Sequence, residues 1–420
     1  MARKNLIAGL DVGTTKTAVV IGELYRQSQV HVVGIGTARS QGLKGGQVVD
    51  IALTAQAIGE AVFRAERAAG ERVDRVCVGV AGGHLRSHTR RAEMYLRSGG
   101  NQVTPHHVNT VVRSAAAVSP FADREVVAVI PRTFTVDSMT GVSDPRGLAG
   151  RRLEVDAHVV TGAVNSISNL TRCVELARIE VESRILQPLA SAEACLTPEQ
   201  RRDGVVLVDI GGGTSDVAVF MDDACWHISV LAVGGALVTS DISRCLRLPS
   251  SVAEDLKIQN GRVDAKVLED DSVIEVPGFD RGAPIGVRRC DLGEVVRARM
   301  EEVLEMIKEA IVLSGYYDLL PAGVVLTGGG SQLQGLTGLA AEVLELPVSL
   351  GRPPALWGLD EEVRQPEFST GIGLVLAGLK ARATQGWLES APTGLPSAVV
   401  RMQEWARELL APKPDWGTEY

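Results

Sequence analysis

The sequence lacks the features typical of exported, membrane-spanning and nucleic-acid-binding proteins. Its six cysteines form no Cys-X-X-Cys pair, and most lie in apolar runs, as buried free thiols do. No run approaches the roughly 18 to 20 apolar residues that a membrane span needs, and residues 6–10 are too few for a signal peptide. The net charge of −8 and the lack of a basic tract argue against nucleic acid as a partner. We therefore expect a cytoplasmic, globular chain, which at 420 residues has room for two or three domains.

The histidines do not form a recognisable zinc motif. His84 and His88 have helical spacing, and His106 and His107 are adjacent. The Glu of an HExxH motif is absent, and no nearby cysteine completes a ligand set. We therefore expect these four histidines to be surface residues.

Two glycine-rich turns of nearly the same sequence are present, at residues 10–17 and 208–216, each between two apolar runs. Glycine has no Cβ, so backbone N–H groups in such turns can approach an anion closely, and hydroxyl and ammonium groups add further donors. The candidate phosphate-binding residues are Gly13, Thr14, Thr15, Lys16, Gly211, Gly212, Gly213, Thr214 and Ser215. Either turn alone is equally well explained as an ordinary hairpin, but the pair favours a nucleotide held between two turns.

An aspartate begins each turn, Asp11 in the first and Asp209 in the second. These carboxylates would repel a bare triphosphate unless a Mg²⁺ ion lay between them, held through water. The predicted ligand is therefore a nucleotide with Mg²⁺. A Walker loop is excluded because Thr-Thr-Lys replaces Gly-Lys-Ser/Thr, and a Rossmann site is disfavoured because residues 34–36 and 328–330 lack the third glycine of the fingerprint.

The order of elements repeats along the chain. Three strands, a helix over residues 51–69 and a further strand are followed after residue 204 by three strands and then helices from Ala236. Between them, Thr104-Pro105 begins a helix in an inserted segment, and a long helix is predicted over residues 292–314. This pattern predicts two similar lobes that face each other across a cleft.

Read together, these residues resemble the actin, heat-shock-chaperone and sugar-kinase superfamily, and within it the FtsA family of bacterial cell-division proteins. The resemblance covers about residues 5–382. Besides the two turns, it is carried by residues 130–137, 144–155, 158–162, 187–191, 253–258, 325–331 and 368–373. It implies an α/β, actin-like two-lobed ATPase fold with duplicated mixed β-sheet domains and an inserted small α+β subdomain.

The resemblance also implies a division of the chain. The first lobe is expected in residues 1–83 and 163–203, interrupted by the insertion at 84–162, and the second lobe in 204–245 and 321–383, interrupted by a small subdomain at 246–320. A linker at 384–397, an amphipathic helix at 398–411 and a tail at 412–420 follow.

Residue roles carried over from the family describe one nucleotide site. Asp11 and Asp209 would position Mg²⁺ and its waters, and Gln187 would orient the attacking water. An amide is a poor general base, so we expect slow ATP turnover at most. The nucleotide-contacting residues would further include Gly234, Gly235, Glu254, Lys257, Gly328, Gly329, Gly330 and Ser331.

The implied partners are the C-terminal tail of FtsZ, further copies of the chain, later division proteins at the inserted subdomain, and the inner face of the cell membrane at the division site. The FtsZ tail would meet Arg288, Arg289 and Arg299. The membrane would meet Val399, Met402, Trp405, Leu409 and Leu410 on one helix face, although that helix could instead dock on the body of the chain. The alternatives are a PilM-like pilus-assembly homologue and a small-molecule kinase of the same superfamily.

Overall fold

The computed structural model describes residues 6–25, 29–96, 102–117, 123–279, 284–356, 358 and 363–385. The predicted amphipathic helix and tail, and most of the predicted linker, lie outside these residues. In chain order the strands are β1 Leu6–Val12, β2 Lys16–Tyr25, β3 Gln29–Arg39, β4 Leu43–Lys44, β5 Gln47–Val48, β6 Arg75–Val80, β7 Arg86–Tyr95, β8 Arg124–Val136, β9 Met139–Val142, β10 Arg152–Ala163, β11 Glu180–Leu186, β12 Val205–Ile210, β13 Ser215–Met221, β14 Ala224–Leu231, β15 Val273–Val276, β16 Ile285–Arg288, β17 Val324–Thr327 and β18 Val348–Leu350. The α-helices are α1 Ile51–Ala69, α2 Pro105–Ala116, α3 Val164–Leu176, α4 Gln187–Cys195, α5 Pro198–Asp203, α6 Gly235–Cys245, α7 Ser250–Asn260, α8 Arg289–Leu313, α9 Leu336–Leu344 and α10 Ser369–Gln385.

Two five-stranded sheets repeat one topology. The first has the order β3-β2-β1-β6-β11 and the second the order β14-β13-β12-β17-β18. In each, the first strand pairs antiparallel with the second and parallel with the strand that returns after a crossover. The predicted pair of similar lobes is therefore confirmed.

Helix α1 shows how the sequence sets these elements. Asp50 caps its N-terminus by accepting a hydrogen bond of 3.0 Å from the Leu53 N–H, and Gly70 ends it with a φ of 67°, a left-handed conformation that favours glycine. Its buried face packs on β3, where Gly36 allows close contact: a Cβ at this position would lie 2.1 Å from the Ala61 carbonyl oxygen. The helix predicted over residues 51–69 is confirmed.

The inserted segment folds as a four-stranded sheet of order β7-β10-β8-β9 with helix α2 packed against it. Thr104 caps α2 through its side chain and Pro105 occupies the first turn, as the sequence predicts. Strands β7 and β8 of this sheet contact β14, which is the edge strand of the second lobe. The insertion therefore joins the first lobe covalently and the second lobe by contact.

The long helix α8 begins at Arg289, three residues before the predicted start. Arg288 is still extended in β16, and the buried side chain of Cys290 already belongs to the helical face that enters the core. The apolar stripe that follows carries the core of the second lobe, with Met300, Leu304 and Ile307 fully buried.

Candidate nucleotide-binding site

The two glycine-rich turns have the same backbone geometry. The Gly13 N–H donates to the Lys16 carbonyl oxygen at 3.0 Å, and the Gly211 N–H donates to the Thr214 carbonyl oxygen at 2.9 Å. Each turn closes a hairpin between a strand that carries an aspartate and the next strand.

The turns face each other directly. A Cβ added to Gly212 would lie 2.4 Å from Cγ2 of Thr15, and one added to Gly213 would lie 2.5 Å from Oγ1 of Thr14. These are closer than real Cβ contacts, so glycine is required here for the approach of the turns. The structure thus brings both predicted phosphate turns to one place.

Asp11 lies at the end of β1, where its Oδ1 accepts a hydrogen bond of 3.0 Å from Nε2 of Gln187. Burial and the nearby Asp209 carboxylate raise the pKa of Asp11 to about 7, against a smaller opposing effect of Lys16. Gln187, the first residue of α4, therefore meets the predicted metal-binding carboxylate directly.

Asp209 is held by two hydroxyl groups, one from α4 and one from α10, which we call the first and second connecting helices. Its Oδ2 accepts hydrogen bonds from Oγ of Ser191 at 2.7 Å and from Oγ1 of Thr370 at 3.1 Å. Burial raises the pKa of Asp209, and these two donors oppose the rise. Ser191 and Thr370 lie in motifs that the sequence analysis recognised without giving these hydroxyls a role.

Asp216 is a further carboxylate that sequence reasoning missed. It is 4% exposed, and its Oδ1 has no hydrogen-bond partner among the described residues. Burial first, then Asp209 and Asp11, raise its pKa well above the ordinary value. An acidic residue at the far end of the second turn was the available signal. Asp209 raises the pKa of both Asp11 and Asp216, and a divalent cation held through water would neutralise this charge, so the residues present fit Mg²⁺.

Lys16 does not present a free ammonium group to the cleft. Its Nζ lies 3.2 Å from Oε2 of Glu367 and 3.2 Å from the carbonyl oxygen of the same residue, and 3.8 Å above the centre of the Phe368 ring. Glu367, just before the second connecting helix, was not anticipated as its partner. Lys16 therefore links the first turn to this connector.

Helix α6 begins against the second turn. The N–H groups of Gly235 and Ala236 donate to the carbonyl oxygens of Gly211 and Gly212 at 3.0 and 2.7 Å. A Cβ on Gly234 would lie 2.5 Å from the Gly211 carbonyl oxygen, so the approach requires glycine there.

The predicted ribose-binding pair, Glu254 and Lys257, lies beside this junction. The Nζ of Lys257 is 2.7 Å from Oε2 of Glu254, 2.9 Å from Oγ1 of Thr239 and 3.2 Å from the carbonyl oxygen of Gly235. Lys257 is buried and Glu254 half-buried. The pair is therefore fixed by the protein itself at the edge of the second turn.

The third glycine turn packs on the end of β12. Gly328 has a φ of 82°, and a Cβ there would lie 2.2 Å from Oδ1 of Asp209. Ser331 is buried and donates to the Gly328 carbonyl oxygen at 2.7 Å. At Gly329 an added Cβ would meet Cβ of Glu367 at an ordinary contact distance of 3.8 Å, so this position is less crowded than Gly328. The role of these glycines beside an adenine stays a prediction.

The sequence analysis expects His84, His88, His106 and His107 to lie on the surface, and this expectation is wrong for His84. His88 and His106 are exposed, and His107 is half-buried in the cap of α2, where its Nδ1 accepts a hydrogen bond of 3.2 Å from the Thr104 N–H. His84 is also half-buried, and its Nδ1 is buried with no hydrogen-bond partner among the described residues. The reason is the fold: His84 lies at the junction of the insertion with the first lobe, between Gly82 and Gly162. Within the described part of the chain, no group of three or more His, Cys, Asp or Glu side chains stands close enough together to ligate a metal ion directly, so the aspartates of the cleft would hold Mg²⁺ through water, as the sequence predicts.

The three arginines predicted to bind a partner lie away from the cleft and are all ion-paired. Arg299 contacts Asp241 and Glu302, Arg288 contacts Asp271 and Asp291, and Arg289 lies 4.0 Å from Asp270. The five predicted membrane-contacting residues lie outside the described part of the chain. Among the helices that are described, none has the length and hydropathy to cross a bilayer.

Comparisons with known proteins agree with these features. A sequence model of the family described as "Cell division protein FtsA" matches residues 206–373, and a model described as "SHS2 domain inserted in FTSA" matches residues 82–161. The curated Cell division protein FtsA of Pseudomonas aeruginosa is 41% identical over 378 residues, which cover 90% of each chain. The FtsA of Neisseria meningitidis serogroup B is 36% identical, covering 90% of this chain and 91% of the relative.

Solved structures with the same fold are more distant in sequence. A chain of the PilM-PilN type IV pilus biogenesis complex aligns with a TM-score of 0.64 at 18% identity, covering 89% of this chain and 98% of that one. MreB5 of Spiroplasma citri bound to ADP aligns with a TM-score of 0.54 at 12% identity, covering 92% and 99%. These likenesses confirm the predicted actin-like two-lobed fold.

Proposed function

Because this chain belongs to the FtsA family of cell-division proteins, we propose that it binds ATP with Mg²⁺ between its two glycine turns and, in that form, assembles into polymers that tether FtsZ to the inner face of the cell membrane during septum assembly. The observation that carries the nucleotide part is the direct opposition of two turns with the same backbone hydrogen bond, one preceded by the half-buried Asp11 and the other by the buried Asp209. The relative bound to ADP shares this fold and supports a nucleotide in the cleft.

We propose separate roles in nucleotide binding for the residues of the cleft. Backbone N–H groups and hydroxyls of Gly13 to Thr15 and Gly211 to Thr214 would hold the phosphates, and Glu254 with Lys257 would meet the ribose beside Gly235. Asp11, Asp209 and Asp216 would hold Mg²⁺, mainly through water, and the ion would neutralise charge on the phosphates. Gln187 would orient a water molecule, and because an amide is a poor base we propose slow turnover in which the nucleotide acts mainly as a switch.

The division partners are proposed from the family. The FtsZ tail would bind the small subdomain around α8, where Arg299 would exchange its contact with Asp241 for an acidic peptide. The helix face with Trp405 would lie in the lipid interface, and many such helices displayed on one polymer would together anchor it. The inserted subdomain would receive later division proteins.

The two alternative functions have less support. The likeness to PilM is at 18% identity and concerns the fold alone, whereas the FtsA of Pseudomonas aeruginosa is 41% identical. A kinase would need a carboxylate base for an acceptor hydroxyl in the cleft. The residue just before Pro188 of the first connecting helix is instead the amide Gln187.

Gly213→Ala tests the proposed function because it adds one methyl group at the contact of the two turns. We expect a loss of at least about tenfold in Mg-ATP affinity, equivalent to about 1.4 kcal/mol of overpacking, and a matching loss of polymer that pellets with ATP. Affinity is measured by calorimetry and polymer by sedimentation.

The matched control is Gly59→Ala, on helix α1, where an added Cβ meets nothing within 4 Å. Unchanged binding and pelleting in both variants would mean that closure of the two turns does not make the nucleotide site.

A further inference from the structure

A cavity of about 30 Å³, partly open to solvent, lies beside the two phosphate turns. The first turn contributes Thr14 to its wall and the second contributes Thr214, so the cavity opens where the turns converge. The other polar side chains in the wall come from three separate elements: Gln47 of the β4–β5 hairpin, Ser166 of α3 and Gln187 of α4. His84 completes the polar part of the wall.

The rest of the wall is apolar. Leu43, Val48, Val80, Ile167 and Leu170 line it. A cavity holds ordered water only where several polar groups can bond it, so water is expected on the side formed by Gln187 and His84.

Gln187 enters the cavity in a fixed orientation. Its Nε2 donates to Oδ1 of Asp11 at 3.0 Å, which leaves Oε1 as the acceptor. Gly79 makes room for it, because a Cβ there would lie 2.9 Å from Cγ of Gln187. An acceptor beside the phosphate turns can bond one hydrogen of a water molecule but fixes its position incompletely.

His84 is also held in place. Its carbonyl oxygen accepts from Nη2 of Arg124 at 2.9 Å, and Arg124 is tied in turn to the hydroxyl and carbonyl oxygens of Thr161 at 3.0 and 2.8 Å. The ring lies between Gly82 and Gly162, where added Cβ atoms would come within 3.4 Å of Cδ2 and 3.3 Å of Nδ1. Burial first, and then Arg124, lower the pKa of His84 against smaller opposing effects of backbone hydrogen bonds at Ala81 and His84. The ring is therefore neutral, with one nitrogen able to accept a hydrogen bond.

We propose that this cavity holds the water molecule that attacks the terminal phosphate of the nucleotide, and that His84 is a positioning residue which binds this water together with Gln187. The inference rests on the proposed function, since it places a water beside a nucleotide held by the two turns. It assigns a role to His84 that sequence spacing alone did not suggest. Gln187, just before Pro188, and His84 would then orient the water from two directions.

The test compares His84→Ala and the more conservative His84→Gln with the unaltered chain. Phosphate release under saturating Mg-ATP should fall by roughly tenfold or more in His84→Ala and recover in part in His84→Gln, whose amide can still accept a hydrogen bond. The Kd for Mg-ATP, measured by calorimetry, should change less than threefold. His88→Ala is the control, because His88 lies exposed on β7, four residues along the chain.

A second readout does not depend on turnover. The ¹⁵N signals of the His84 imidazole, assigned by their loss in His84→Ala, should move when Mg²⁺ and a non-hydrolysable ATP analogue bind, and move less with Mg-ADP. Unchanged imidazole signals with the analogue demonstrably bound would overturn the inference, as would equal phosphate release in all three chains or none from the unaltered chain. A lack of nucleotide binding by the unaltered chain would instead overturn the proposed function.

Discussion

At the scale of single residues, the site is marked by three aspartates whose pKa values are raised. Burial raises the pKa values of Asp11, Asp209 and Asp216, and Asp209 adds to the rise at the other two. The pKa of Asp11 reaches about 7, although aspartate ordinarily titrates near 3.8. Between these two pH values the folded chain holds a proton that the unfolded chain has released. The stability that this proton contributes is therefore present at low pH and is lost as the pH rises through 7.

Replacing Asp11 by Asn should remove this pH dependence. Without nucleotide, we expect Asp11→Asn to raise the free energy of unfolding at pH 8, with an upper limit of about 4 kcal/mol from the change of about three in pKa, and to change it little near pH 4. Urea unfolding at the two pH values measures the difference. Asp222→Asn, at the exposed tip of the β13–β14 hairpin, is the control. An equal loss of stability at both pH values would contradict a desolvated carboxylate at Asp11.

At the scale of elements, the inserted subdomain caps an open sheet edge. A register shift in the pairing of β8 with β10 leaves Arg132 between the paired residues Pro131 and Thr133, and its Nη2 donates to the Trp226 carbonyl oxygen on edge strand β14. Two residues along β14, the Ile228 carbonyl oxygen accepts from Oγ of Ser87 at 3.0 Å. Side chains thus satisfy backbone groups to which another strand could otherwise pair.

A buried histidine completes this contact. Nη2 of Arg132 lies 3.0 Å from Nδ1 of His158, and burial together with Arg132 lowers the pKa of His158 to about 3. The ring is therefore neutral at physiological pH and accepts the hydrogen bond. Arg132 also stacks over the Trp226 ring, with its guanidinium carbon 5.5 Å from the ring centre.

Arg132→Ala should loosen the contact between the insertion and the second lobe. We expect a loss of about 1–3 kcal/mol and faster amide hydrogen exchange in β14 and β8, because the Trp226 carbonyl group loses its buried donor. Arg91→Ala is the matched control, since the Arg91 ion pair with Asp156 is exposed and contributes little. Similar exchange in β14 for both variants would show that Arg132 does not hold the edge.

The elements that the sequence predicts well are those with local signals. Asp50 and Gly70 bound α1, Thr104 and Pro105 start α2, and the two glycine turns stand out because each is complete within nine residues. Contacts between distant segments were not predictable in this way. Asp209 contacts Thr370, 161 residues away, and Arg132 contacts Trp226, 94 residues away. The spacing of apolar residues along the chain does not indicate such pairs.

Strand β7 of the insertion could not be predicted from the sequence for a related reason. Strand β7 is mostly exposed, and residues 86–95 are largely polar, so no clear apolar alternation reveals it. Its register comes from its partner β10, which pairs Arg86 with Thr161. The half-buried state of His84 follows from the same long-range pairing and could not be read from its spacing to His88.

At the scale of the whole molecule, two lobes of one topology meet at a cleft, and specific side chains and glycines hold them together there. Glycines let the turns approach, hydroxyls from both connecting helices hold Asp209, and Lys16 joins the first turn to the second connector through Glu367. The insertion bridges the lobes from the side. A ligand that neutralises the carboxylates would therefore act on the first turn, the second turn and both connectors together.

The measurement that tests the central claim most directly is a calorimetric titration of ATP into the full-length chain, with Mg²⁺ and again with a chelator. We predict one nucleotide bound per chain with Mg²⁺ and an affinity at least about tenfold weaker without it, because the three carboxylates then repel the phosphates. No heat of binding with Mg²⁺, or equal affinity under both conditions, would contradict a nucleotide held between the two turns by a metal ion.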